Sequence, residues 1–148
     1  MTSIDEKALA SRLFNRCWEL LEQDERSEDD VVELLTSALT SRFHWLSVGG
    51  LEQWIIADWM VARAAGVMGS SDIALRFALR AYEAARANET PDWLVASSAE
   101  GVARAYAVAG NVAEFTNWAA LAGRLVEAIV DPENRGLIES QLADIPTP

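Results

Sequence analysis

The chain has 148 residues, 51% hydrophobic and 24% charged, with 23 acidic against 12 basic side chains and a net charge of −11. This composition excludes a disordered chain, and the acidity argues against a duplex nucleic acid or an anionic membrane surface as partner, because both are bound through cations. The length suits one domain, which buries roughly 68–70% of its unfolded surface, and the single cysteine, Cys17, rules out an internal disulfide framework and fits a reducing cytoplasm.

Abundant alanine with sparse Gly and Pro predicts helices throughout. The N-terminus Met1–Lys7 is polar and acidic, which is not the pattern of a signal peptide. A first helix is expected from Ile4 to Gln23, opened by a Ser3/Glu6 capping box, with Ala8, Leu9, Leu13, Phe14, Cys17, Trp18 and Leu21 on one stripe. The acidic run Asp24–Glu33 follows, with Ser27 as an N-cap whose first turn of carboxylates suits the helix dipole. A second helix from Asp29 to Trp45 turns Val31, Leu34, Leu35, Ala38, Leu39 and Leu46 inward and stops before Gly49-Gly50.

The third helix, Leu51–Met68, is apolar almost all round, so it is expected to be covered on several sides and closed by a left-handed Gly69. A fourth runs from Ser71 to Ala87. Thr90-Pro91 then reads as an N-cap with Pro at the first helical position of a fifth helix, ending at Gly110. The sixth spans Val112–Val130, and Asp131-Pro132 opens a seventh that fades near Ile145. Connections this short force antiparallel neighbours. The expected organisation is one domain, 1–148, with helical hairpins at 4–46, 50–87 and 91–130 and a terminal capping helix at 132–143.

The chain also matches itself. Val61-Ala62-Arg63-Ala64 recurs as Val102-Ala103-Arg104-Ala105, 41 residues on, and Val67, Gly69, Ala78 and Ala81 recur as Val108, Gly110, Ala119 and Ala122. A fixed-period match of this kind marks a helical repeat.

Within these two hairpins, Tyr106, Gly110, Phe115, Ala119 and Ala122 follow the spacing of tetratricopeptide repeats, and Ala65, Gly69, Ala74, Ala78 and Ala81 follow it in the earlier copy, with Ala65 departing from the usual aromatic. The chain thus resembles that family, at a period of 41 residues rather than about 34. The stretches Ala105–Gly110 and Asp131–Arg135 are also similar to those of a bacterial family of small repeat proteins with no assigned activity. The tetratricopeptide resemblance implies an all-α array of antiparallel hairpins stacked as a right-handed superhelix, whose first helices line a groove for a peptide or partner helix. By register, the groove positions would be Ile56, Trp59, Arg63 and Val67 in one copy and Ser97, Glu100, Arg104 and Val108 in the next.

Two arginines at equivalent positions could pair with carboxylates of an extended ligand. Against this stands a structural role: Arg104 paired with Glu100 at i,i+4, and Arg63 with Asp58 or Trp59. The six tryptophans serve either as core or as a binding surface, with Trp54, Trp59 and Trp93 as walls of an aromatic pocket. Trp54 and Trp59 lie about 140° apart around a helix, so one of them is expected to reach a second surface, such as a dimer partner. His44, the only histidine, makes no metal set, and Cys17 on the apolar stripe reads as an inert thiol. Zinc, hydrolase, phosphate-loop and dinucleotide signatures are missing. The expectation is a cytoplasmic, non-catalytic protein–protein interaction module without cofactor or metal. The alternative is a receptor for a small molecule or peptide.

Overall fold

The computed structural model describes residues 3–148. Among them are seven helices and no strand: α1 Glu6–Leu21, α2 Glu28–Val48, α3 Leu51–Met68, α4 Ser71–Ala87, α5 Asp92–Val108, α6 Val112–Glu127 and α7 Pro132–Ala143. They pack as sequential antiparallel pairs, α1 with α2, α3 with α4 and α5 with α6. The odd-numbered helices also pack in series, α1 on α3, α3 on α5 and α5 on α7, whereas the backbones of the even-numbered ones come close only to their chain neighbours. The result is an inner layer of α1, α3, α5 and α7 backed by α2, α4 and α6.

Small residues make the layers close. Ala74, Ala78, Ala81 and Ala85 put a fully buried stripe on α4, and alanine lets two backbones approach without losing rotamer freedom. α3 and α5, covered on several sides, are buried along almost their whole length. One core gathers Cys17, Leu20, Leu34, Ile55, Trp59, Met60 and Leu94; a second joins α3, α4 and α5 through Ala65, Ala78 and Val102.

The punctuation follows local chemistry. Ser27 and Asp30 form a reciprocal capping box on α2. Asp131 caps α7 with Pro132 in its first turn. Gly69 and Gly110 hold φ of 82° and 71°, which only glycine adopts without strain.

Several details differ from the sequence expectations: α1 spans Glu6–Leu21 rather than Ile4–Gln23, and α6 ends at Glu127 rather than Val130. Asp5, not Ser3, caps α1 by accepting from the Ala8 amide. Thr90 donates its hydroxyl to the Ala85 carbonyl, sealing the end of α4, and α5 starts after Pro91. α2 runs on to Val48. Leu39 and Leu46 face outward, because α2 meets its neighbours through Leu34, Ser37, Ala38 and Ser41. Ser41 donates to the Ala10 carbonyl at 2.8 Å, so a hydroxyl sits buried with its hydrogen bond satisfied.

Candidate functional site

The inner layer surrounds a trough, and the repeat supplies its two floors. Trp59 and Arg63 lie one turn apart on α3; Glu100 and Arg104 lie one turn apart on α5, 41 residues further on. The same register carries different chemistry. The Arg63 guanidinium lies 5.7 Å from the Trp59 ring centroid. Arg104 instead donates to Glu100 Oε1 at 2.8 Å, and its Nη2 reaches the Gln141 carbonyl of α7 at 2.8 Å. Arg104 thus matches the structural alternative as well as facing the trough. Arg63 matches that alternative through Trp59 and not through Asp58, which instead holds Arg42 and Arg80 on α2 and α4.

All eight register positions line the trough or a cavity opening from it. Arg63, Val67, Arg104 and Val108 border a cavity of about 280 Å³, with Arg26 and Pro146 at its edge. Trp59 and Glu100 join Arg63 and Arg104 around a slot between α3 and α5. Ile56, Trp59 and Ser97 line a third cavity of about 200 Å³, walled by Phe14, Trp18, Trp93 and Leu137. The widest part, about 830 Å³, lies between α1 and α7 and is bordered by Trp18, Glu22, Arg63, Gln141 and Asp144.

The aromatic pocket departs from expectation at one wall. Trp59 and Trp93 line it, but Trp54 does not: Trp54 lies in a shallow depression with Asp58, Arg80 and Glu83. Its indole donates to the Trp45 carbonyl at 2.9 Å, which ties the start of α3 to the end of α2. Trp18 takes the place expected of Trp54, with its ring 5.8 Å from that of Trp59 and 6.5 Å from Phe14.

Charge in the trough is uneven. Glu100 is completely buried and already paired with Arg104. Arg26 spends one nitrogen on the carbonyls of Leu20, Leu21 and Gln23 at the end of α1. Arg63 is 13% exposed, and its nearest carboxylate, Asp144, stands 4.0 Å away and largely in solvent. Among the described residues, the buried Arg63 Nη1, Glu100 Oε2 and Gln141 Oε1 have no hydrogen-bond partner. Burial first, and then the neighbouring Arg104 cation, bring the Arg63 guanidinium down to about 10, so it remains a cation at neutral pH.

The cysteine and the histidine stand elsewhere. Cys17 is buried in the core with its thiol toward the Leu34 carbonyl, and desolvation pushes it up to about 12. His44 approaches Glu6 at 3.5 Å on the α1–α2 side. Among the described residues, no three His, Cys, Asp or Glu side chains converge as a metal cage, and no helix is long and apolar enough to cross a membrane.

Sequence reasoning missed the walls supplied by α1, by the loop after it and by α7 with its C-cap: Phe14, Trp18, Arg26, Leu137, Gln141 and Asp144. Leu137, Gln141 and Asp144 fall at i, i+4 and i+7, a helical-face signal in a segment expected only to cap. No protein-family model, curated protein or solved structure matches the chain.

Proposed function

We propose that this protein is a non-catalytic binding module, a tetratricopeptide-like right-handed array whose inner layer receives a segment of another protein. The observation that supports this most is the convergence of Arg63 and Arg104, with their flanking Val67 and Val108, on one cavity wall. The duplicated motif brings two equivalent cations to one trough; with Arg104 held by Glu100, Arg63 is the one that offers a carboxylate contact to an acidic side chain of the incoming segment. Photo-crosslinking residues placed at Val67 and Val108, with Ile73 on α4 as the outer-layer control, test it. A partner protein joined from both trough positions, and lost on Arg63→Gln, supports the reading. Equal labelling from Ile73, or labelling indifferent to Arg63→Gln, rejects it.

A second reading, a receptor for a small molecule, is favoured by one feature: the cavity of about 200 Å³ walled by Phe14, Trp18, Trp59 and Trp93. Aromatic walls with few polar groups are the usual lining of ligand sites. Screening metabolites for a rise in melting temperature tests this, since a ligand of the native state stabilises it by mass action.

A further inference from the structure

We propose that the aromatic cavity and the Arg63 end of the trough form one site for a small amphipathic carboxylate, its apolar part among the tryptophans and its carboxylate on the Arg63 guanidinium. The proposal rests on the receptor reading and names its ligand class.

Three observations carry it. The first is continuity. Trp18, Leu137 and Gln141 border both the aromatic cavity and the wide trough. The Trp59 ring that walls the cavity is the ring against which Arg63 lies, 5.7 Å away. An apolar group in the cavity therefore lies about one indole from the guanidinium.

The second is charge. Arg104 and Glu100 neutralise each other at 2.8 Å. That leaves Arg63 as a largely buried cation whose buried Nη1 has no partner among the described residues; Glu100 across the slot is already paired with Arg104, and Asp144 stands at the 4.0 Å limit and mostly solvated. A buried guanidinium is stabilised most by an anion brought inside with it. One uncommitted cation calls for a monoanion, which favours a carboxylate over a dianionic phosphate ester.

The third is size. A cavity of about 150 Å³ holds benzene, so about 200 Å³ admits one aromatic ring or a short branched chain. Gln141 Oε1, buried without a partner among the described residues, adds an acceptor between the two halves. A hydroxyl beside the carboxylate would find a partner there.

Calorimetric titration of the full chain with four probes of one shape tests the assignment: 3-phenylpropionate, 3-phenyllactate, 3-phenylpropionamide and 2-phenylethylamine. The expected order is phenyllactate, then phenylpropionate, with the amide and the amine at least about tenfold weaker, because a charge-assisted pair is lost. Arg63→Gln should erase the preference for acid over amide while retaining weak binding of the ring. Leu137→Trp, at an exposed position on the cavity rim, should block all four while leaving the thermal melt unchanged. If the amide or amine binds as well as the acid and Leu137→Trp abolishes both, the carboxylate assignment falls but the receptor reading stands. If acids bind with no response to Arg63→Gln, or if no probe binds at millimolar concentration, the assignment is overturned. The metabolite screen then judges the receptor reading separately.

Discussion

A Cβ placed on Gly101 would stand 2.9 Å from Cδ1 of Trp59. Gly101 lies mid-helix in α5, where glycine costs about 1 kcal/mol against alanine, so what it provides is space: α5 passes close against Cδ1 and Nε1 of the α3 indole. The other copy has Met60 at the equivalent position, 41 residues earlier. Gly101→Ala should destabilise the protein by about 1–2 kcal/mol, overpacking outweighing the helix gain, and should shift the Trp59 emission. Gly123→Ala and Gly136→Ala meet nothing within 4 Å and should instead stabilise, by up to about 1 kcal/mol, or roughly 2–4 °C in a thermal melt. Destabilisation of equal size at all three sites would refute the packing argument.

Asp58 joins three helices. Its carboxylate receives Arg42 at 2.5 Å and Arg80 at 3.4 Å, and Arg42 also lies 5.2 Å over the Phe77 ring. Asp58→Ala leaves the part-buried Arg42 uncompensated, so a loss of about 3–5 kcal/mol is expected in urea unfolding. Arg80, 59% exposed, should matter by no more than about 1 kcal/mol. In a double-mutant cycle, Asp58 and Arg42 should be strongly coupled, and additivity would show that the pair contributes nothing.

The Glu100–Arg104 pair is buried and costs desolvation on both sides. Removing only Arg104 leaves a buried carboxylate without its cation, and Arg104→Met alone should cost about 3–5 kcal/mol. Replacing both, as Glu100→Leu with Arg104→Met, should restore stability to near or above the starting value. Denaturant midpoints of the native chain and the two variants decide the matter, and a double variant as weak as the single one would be contrary to this account.

Cys17 gives the protein an alkaline weakness. Desolvation raises the thiol from its ordinary 9.0 to about 12 in the folded state. Between these values the unfolded chain binds fewer protons than the folded one, so stability falls as pH rises. The stability gap between the native chain and Cys17→Ala should stay constant below about pH 8 and narrow on going to about pH 10.5. Thiol reagents at pH 8 should label Cys17 only after unfolding. Rapid labelling of the folded chain would contradict its burial.

The hairpins were legible because their signals are local. Ser27–Asp30, Asp131-Pro132 and the left-handed glycines Gly69 and Gly110 act within one turn of chain, and the duplicated motif places Arg63 and Arg104 by register. The trough's outer walls were not legible, because no repeat marks them. α7 contributes Leu137, Gln141 and Asp144 through its packing on α5 and α6, a tertiary choice that periodicity does not encode. The inward face of α2 was misread for a related reason. Counting apolar residues finds Leu34 and Ala38 but adds Leu39 and Leu46, whereas a close helix crossing also selects Ser37 and Ser41.

The cationic interior of the trough lies inside a chain of net charge −11, and Glu22 and the outward Asp144 stand at its rim. An incoming anion meets long-range repulsion before it reaches any favourable contact. Added salt screens the outer field more than a buried pairing. Capture of an anion should therefore quicken as ionic strength rises while release changes little, the reverse of the usual behaviour of charge-steered association.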